Sequence, residues 1–171
     1  MARENNSIEI WKADTFAQIV VVPGHKNVDI RCLHWLEPDA VPGNAENILY
    51  CNRQKGKKTL TKKRRLITTG LNGVIIEWDL LTMQPKSKLN IHCAIWQSVM
   101  VGKFMYVACE DGSIRVLKVK KNKIELVRMM VKNTASCLSL SIDDSTQLKM
   151  EDGDMGPVAF LWAGYADGTI K

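Results

Sequence analysis

Short apolar runs separated by small polar turns follow one another along the whole chain. In Ile8-Glu9-Ile10-Trp11 the side chains alternate in character, as expected of a strand with one buried face. The same reading predicts twelve strands, at 8–11, 19–22, 30–35, 65–69, 74–80, 87–92, 95–100, 104–108, 114–119, 124–130, 136–142 and 158–163. The pattern therefore predicts an all-β protein built from short antiparallel strands.

A small turn followed by an apolar strand occurs four times. In three copies the turn is an Asn-Gly or Asp-Gly pair, which supplies the positive φ angles of a tight hairpin. The copies are Asn5-Asn6-Ser7-Ile8, Asn72-Gly73-Val74-Ile75, Asp111-Gly112-Ser113-Ile114 and Asp167-Gly168-Thr169-Ile170. Two of them lead to a tryptophan, Trp11 and Trp78, and the second tryptophan is followed by Asp79. A repeated unit of this kind predicts stacked blades.

The spacing of the turns fits a WD40 repeat. From Asn72 to Asp111 is 39 residues, close to the roughly 40–45 residues of one unit. The other two intervals become regular if each repeat carries one inserted loop, at 37–63 and at 143–157. Residues 1–171 then form a WD40 β-propeller fragment of about three blades. It comprises the end of one blade, two complete antiparallel four-stranded blades and the start of a fourth.

Composition narrows the class of protein. The hydrophobic fraction is 46%, and no apolar run reaches the roughly 18–20 residues that a membrane helix needs. We therefore expect no membrane contact, and the N-terminus has no secretory signal pattern. The five cysteines are an odd number without a CxxC pair, which favours a reducing compartment and argues against disulfides and a zinc site.

The net charge of +6 comes from one segment. Subtracting the eight basic residues of this segment leaves −2 for the rest of the chain, and the segment holds no acid. They are Arg53, Lys55, Lys57, Lys58, Lys62, Lys63, Arg64 and Arg65. Three readings stay open: contact with an RNA backbone, a nuclear import signal, or a solvated loop. The insertion at 143–157 is acidic, so an electrostatic contact between the two insertions is a further hypothesis.

Gly24-His25 lies where a WD40 unit carries its Gly-His pair, and Trp78-Asp79 is the dipeptide that gives the repeat its name. Five further stretches carry a more specific pattern: 69–80, 95–98, 107–114, 123–128 and 137–141. Together these residues resemble cirhin-type WD40 proteins.

This resemblance implies a non-catalytic scaffold of the small-subunit processome, acting in pre-18S rRNA processing and ribosome biogenesis in the nucleolus. It implies other WD40 processome subunits and pre-rRNA as partners, with no cofactor and no small-molecule substrate. The alternative is a general WD40 adaptor that recognises a peptide in another complex, such as a ubiquitin ligase. Salt-sensitive retention on RNA and a nuclear location would favour the scaffold.

An enzyme is disfavoured by the residues themselves. His92 and Cys93 are neighbours on a strand and point to opposite faces, while Cys32 and His34 share a face but have no third group to complete a catalytic set. Buried strand cysteines are the simpler interpretation. The resemblance assigns structural roles to a set of turn and blade residues, among them a hydrogen-bond network of His25 with Asp111 or Asp167. The set is Gly24, His25, Asn72, Gly73, Trp78, Asp79, Asp111, Gly112, Asp167 and Gly168.

Overall fold

A computed structural model describes residues 2–24, 29–36, 65–80, 82–120, 123–143 and 160–171. These residues form twelve strands and, within the described ranges, no helix. No described helix is therefore long and apolar enough to cross a membrane. The strands are β1 (Ile8–Trp11), β2 (Gln18–Val22), β3 (Cys32–Leu36), β4 (Arg65–Thr69), β5 (Val74–Asp79), β6 (Gln84–Asn90), β7 (Ile95–Val101), β8 (Phe104–Cys109), β9 (Ser113–Val119), β10 (Ile124–Lys132), β11 (Cys137–Asp143) and β12 (Phe160–Tyr165).

The strands pair with their chain neighbours into four antiparallel sheets. Sheet I is β1–β2, sheet II is β3–β4–β5–β6, sheet III is β7–β8–β9–β10 and sheet IV is β11–β12. Two complete four-stranded meanders flanked by two pairs are the order expected of successive propeller blades. The all-β fold and its antiparallel four-stranded blades are thus confirmed.

The strand boundaries differ from the sequence prediction at a few ends. Strand β6 begins at Gln84 and ends at Asn90, earlier than predicted, and His92 beyond it adopts a φ of 54°, which is incompatible with a continuing strand. Strand β10 continues to Lys132 and β12 to Tyr165. Strand edges depend on pairing partners as well as on local pattern, so they are the least predictable part of a strand.

All four repeated turns have the same backbone geometry. The second residue of each has a positive φ: Asn6 (63°), Gly73 (72°), Gly112 (76°) and Gly168 (82°). The preceding Asn or Asp accepts a hydrogen bond on Oδ1 from the backbone N–H two residues on, at 3.0–3.1 Å. This Asx bond explains why Asn or Asp occupies the first position in every copy.

Apolar side chains fill the space between successive sheets. Ile8, Val22, Leu66, Val74, Ile76 and Trp78 are packed between sheets I and II. A second cluster joins sheets II and III: Ile67, Ile75, Ile91, Ile95, Met105, Val107, Cys109, Leu117, Val119 and Ile124. A third joins sheets III and IV: Ala108, Ile114, Cys137, Leu140, Ala163 and Tyr165. The central strands of the complete sheets, β4, β5, β8 and β9, are therefore covered on both faces, whereas the outer strands β6 and β10 are mostly exposed.

Two turn glycines are also required by close packing between sheets. A Cβ on Gly112 would lie 2.2 Å from the carbonyl oxygen of Asn133, and one on Gly73 would lie 2.6 Å from that of Cys93. The residue that follows each outer strand also hydrogen-bonds to the turn glycine of its sheet. After β6, Ile91 N–H donates to Gly73 O at 3.0 Å, and after β10, Asn133 N–H donates to Gly112 O at 2.9 Å. The turn is thus the point where each blade is joined to the segment that enters the next blade.

Candidate functional site

The basic segment connects β3 to β4. Of its eight basic residues only Arg65 is described; Arg53 to Arg64 lie outside the described residues, as does His25. The residues that flank the connection, Leu36 and Arg65, are opposite each other across β3 and β4, so both ends of the connection are at the same end of sheet II. The acidic insertion likewise falls between β11 and β12, and its described edge is the pair Asp143 and Phe160.

Arg65 is engaged within the fold. Its Nε and Nη2 donate to the two carboxylate oxygens of Glu77 at 2.9 and 2.6 Å, and Nη2 also donates to the carbonyl of Lys120 at 2.8 Å. Glu77 is only 1% exposed and also pairs with Lys86 at 2.7 Å. Burial alone would raise the pKa of Glu77, but the two cations hold it below its usual value. Arg65 therefore joins β4 and β5 to sheet III, a role that differs from that of a free cation.

The same end of the two complete sheets carries further lysines. The Arg65 contact places the β9–β10 connection, with Lys120 and Lys123, beside the start of β4. Both lysines form ion pairs with Glu125, and Lys118 lies over the Phe104 ring at 5.4 Å. The surface beside the start of β4 therefore carries several lysines, and Glu125 neutralises part of their charge.

A buried polar contact links the inner strands of sheets II and III. His34 Nε2 lies 2.7 Å from Ser98 Oγ, which in turn lies 2.9 Å from Thr69 Oγ1. Ser98 is 4% exposed and Thr69 is 1% exposed, and burial lowers the pKa of His34. A serine and a histidine in contact suggest a nucleophile and its base, but no described carboxylate orients this imidazole. The contact acts as a bond between blades.

Sheets III and IV have a similar polar link. Gln97 on β7 accepts the backbone N–H of Leu140 on β11 at 3.1 Å. Sequence reasoning missed both Gln97 and Ser98. The sequence does show two adjacent polar residues within the otherwise apolar strand β7. The pattern of one strand cannot show, however, that their side chains bond to neighbouring sheets.

Asp111 is paired with an arginine. Arg115 donates to Asp111 Oδ2 at 2.7 Å, to Ser113 Oγ at 3.1 Å and to the carbonyl of Ile91 at 2.7 Å. Burial opposes ionisation of Asp111, but the bonds from Ser113 and Arg115 lower its pKa to about 2. Arg115 thereby connects the turn of sheet III to the chain leaving sheet II.

The remaining predicted structural residues are placed as follows. Trp78 Nε1 donates to Thr68 Oγ1 at 3.0 Å inside the sheet, and Asp79 ends β5. Asp167 accepts from Thr169 at the last turn, through the backbone N–H at 3.0 Å and the hydroxyl at 2.7 Å. A Cβ on Gly24 would meet the carbonyl of Asn5 at 2.1 Å, so that glycine permits a close backbone approach. His25, the expected partner of Asp111 or Asp167, is outside the described residues.

The four described cysteines are free, and two of them, Cys109 and Cys137, are buried. Burial raises the pKa of Cys109 to about 12 and of Cys137 to about 11, so both thiols stay protonated at neutral pH and are poor nucleophiles. The sulfurs of Cys93 and Cys109 and a carboxylate oxygen of Asp111 lie within 4.8 Å of one another. Both Asp111 oxygens already accept hydrogen bonds, from Ser113 and Arg115, so this cluster is accounted for by packing.

Comparison with known proteins gives two low-identity relatives. The chain is 26% identical over 145 residues to the human U3 small nucleolar RNA-associated protein 4 homolog, covering 82% of this chain and 18% of that protein. It is 35% identical over 80 residues to the mouse U3 small nucleolar RNA-associated protein 4 homolog, covering 45% of this chain and 12% of that protein. The chain thus spans less than a fifth of the length of these relatives. No protein-family model matches it.

Among solved structures, the chain resembles the computationally designed Ika4 protein. The TM-score is 0.56 at 17% sequence identity, over 96% of this chain and 77% of that one. This likeness concerns the fold alone. Together with the four repeated turns, these two low-identity relatives support a WD40 relationship for this chain.

Proposed function

We propose that this chain is part of a non-catalytic scaffold of the small-subunit processome, which works in the nucleolus on the precursor of 18S rRNA. The observation that carries the proposal is the match of 82% of the chain to a U3 small nucleolar RNA-associated protein, on strands that stack as blades. Its partners would be other WD40 subunits of that particle and pre-rRNA. Function on a propeller depends on surfaces rather than on fold, so those surfaces decide the proposal.

The chemistry of the described residues suits a scaffold. The buried thiols are protonated, the His34–Ser98 contact lies between blades, and the acidic groups Glu77 and Asp111 are held by cations. The His34–Ser98 contact and the cations that hold Glu77 and Asp111 also join strands or sheets. Polar side chains used in this way stabilise one arrangement of blades, which is what a platform for partners requires.

The basic segment is the proposed RNA contact. Lysine and arginine side chains neutralise phosphates and release counterions, which gives affinity without sequence preference. The segment contains no aromatic residue, so base stacking is not expected and contact with the backbone is the simpler mode. Arg65 is left out of the proposed contact set because its guanidinium is paired with Glu77 and with the carbonyl of Lys120.

The test replaces Lys57, Lys58, Lys62 and Lys63 by glutamate in the intact protein. Binding to an RNA probe that carries the 5′ leader of pre-rRNA is measured over a range of salt concentrations. Removal of four phosphate contacts should weaken binding and reduce the slope of log affinity against log salt by about 3. Because the probe is added in vitro, a role in nuclear import does not enter the result.

The matched control replaces the same four lysines by arginine, which keeps the charge. This variant should bind with the affinity and salt slope of the original protein. Arg65 must be left unchanged in both variants, since its reversal would expose the buried Glu77 to a like charge. Equal binding by the glutamate and arginine variants would refute the RNA contact and leave import or a solvated loop.

A further inference from the structure

The outermost strand of sheet III exposes a strip of apolar side chains. In β10 the exposed fractions are 52% for Leu126, 51% for Val127, 49% for Met129, 42% for Met130 and 37% for Val131. The strand has nine residues, and its outer edge pairs with no other described strand. An exposed edge with consecutive large apolar residues is a liability for a protein unless something covers it.

Packing against sheet II leaves Leu126 and Met129 of this strip uncovered. Leu126 is opposite Leu117, which is buried in the core between sheets II and III, so Leu126 lies on the face toward sheet II. Met129 is opposite Arg115, whose guanidinium reaches Ile91 at the end of sheet II. Sheet II is a complete four-stranded sheet, and the side chains of Leu126 and Met129 are nevertheless about half exposed beside it.

Two bulges widen the strip. The register with β9 skips Val127 and Met130, so each lies at a point where two residues oppose one. A bulge turns the strand and interrupts the ladder, which makes long edge-to-edge strand pairing unfavourable. The exposed strip is therefore suited to contact through side chains, and methionines adapt well to such contacts.

The charges around the strip are cationic. Arg128 and Lys132 are exposed and form no ion pair with any described carboxylate, whereas Glu125 is already neutralised by Lys120 and Lys123. An occupant that complements this surface would place apolar side chains on the strip and acidic ones beside Arg128 and Lys132. The strip has no aromatic residue on which an RNA base could stack, so a protein occupant fits better than a nucleic acid.

We propose that β10 is a docking strand for a protein segment of another subunit, in which apolar residues alternate with or lie between acidic residues. The inference rests on the proposed scaffold function and adds a surface and the chemistry of its partner. This surface is separate in sequence from the basic segment, so the two can be tested independently.

The experiment places a photo-reactive benzoylphenylalanine at Val127 of the full-length protein in cells and identifies the crosslinked peptide. The matched control carries the same group at Ile19, which is 47% exposed and is also skipped in the register of the outer strand of sheet I. The expected result is a crosslink from position 127 to an acidic-apolar peptide of another protein. That crosslink should be absent from position 19.

Variants then test the chemistry of the contact. Val127→Glu, and separately Arg128→Glu with Lys132→Glu, should reduce recovery of that partner by about tenfold or more, while Ile19→Glu should not. Reversal of the acidic residues in the identified peptide should restore binding to the Arg128→Glu, Lys132→Glu variant.

Four outcomes would overturn the proposal: a crosslink only to RNA, only to this chain itself, to a peptide without acidic residues, or equally from both positions. If pre-rRNA and processome subunits still co-purify with the Val127→Glu variant at full yield, the docking strand is wrong while the scaffold function stands.

Discussion

At the scale of single residues, the turn geometry is the most constrained feature. The four Asx turns share a positive φ at their second residue, but only some of those residues are packed against another part of the chain. A Cβ on Gly112 would meet two carbonyl oxygens, of Asn133 and Ala135, whereas a Cβ on Gly168 would meet nothing within 4 Å. Comparing alanine substitutions at these two positions therefore separates the loss of stability caused by backbone strain from the loss caused by a steric clash.

Gly112→Ala should destabilise the protein clearly more than Gly168→Ala. Both substitutions place a Cβ on a left-handed backbone, at a cost of about 1–2 kcal/mol. Gly112→Ala must in addition displace the backbone carbonyl 2.2 Å away. Urea unfolding followed by tryptophan fluorescence measures the difference, and equal midpoints for the two variants would contradict the close packing of this turn.

His34 should make stability fall in mildly acidic solution. Burial lowers the pKa of His34 in the folded state, so the unfolded chain takes up its proton at a higher pH, near 6.5. The contribution of neutral His34 to the free energy of unfolding is therefore fully present above pH 6.5. It is lost as the pH falls from 6.5 toward the lower pKa of the folded state. The free energy of unfolding at pH 7.5 and 5.5 should therefore differ less in His34→Gln than in the original protein, and an unchanged difference would refute this origin.

Ser98→Ala tests the same contact by removing its central hydroxyl. The substitution takes the Ser98 partner from both His34 and the buried Thr69. Loss of such a partner costs about 1–3 kcal/mol. Ser141→Ala, on an exposed position of β11, is the control and should be nearly neutral. A comparable effect of the two changes on the urea midpoint would argue against a buried bond between blades.

At the scale of elements, the chain's own pattern predicts strands and turns far better than the bonds between sheets. All twelve strands follow from short apolar runs, and the four turns follow from an Asn or Asp before Gly or, once, before Asn6, because those signals are local. In contrast, the hydrogen-bond partners of Ser98, Gln97 and Arg115 in neighbouring sheets are 24 to 64 residues away in sequence, and these bonds depend on how the sheets stack. Arg65 shows the same limit. The sequence groups it with the basic segment, whereas in the fold it pairs with the buried Glu77, 12 residues along the chain.

Arg65→Met should destabilise sheet II and its contact with sheet III. It removes one of the two cations from the buried Glu77 and leaves Lys86, so the loss should lie below the about 3–5 kcal/mol that a fully uncompensated buried charge costs. The double variant Arg65→Met, Glu77→Leu should recover much of this loss, because no buried charge is left. Additive effects of Arg65→Met and Glu77→Leu in urea unfolding would contradict a coupled pair.

At the scale of the whole molecule, the four sheets stack through three apolar clusters and a few polar bonds. The sequence could predict this architecture because each repeat carries its own turn and strand signals. It could not predict the apolar strip on β10, since an apolar run in a strand normally indicates burial. Exposure of that run is a property of the outer blade edge, which only the assembled sheets reveal.

The scaffold account is tested most directly by a crosslinked pull-down of the intact protein, with co-purified proteins and RNA identified together. The account predicts recovery of processome subunits with the 5′ leader of pre-rRNA, and RNA crosslinks at lysines of the basic segment. Recovery of ubiquitin-ligase or other adaptor complexes without that RNA would contradict it, and would assign the same stacked blades to peptide recognition.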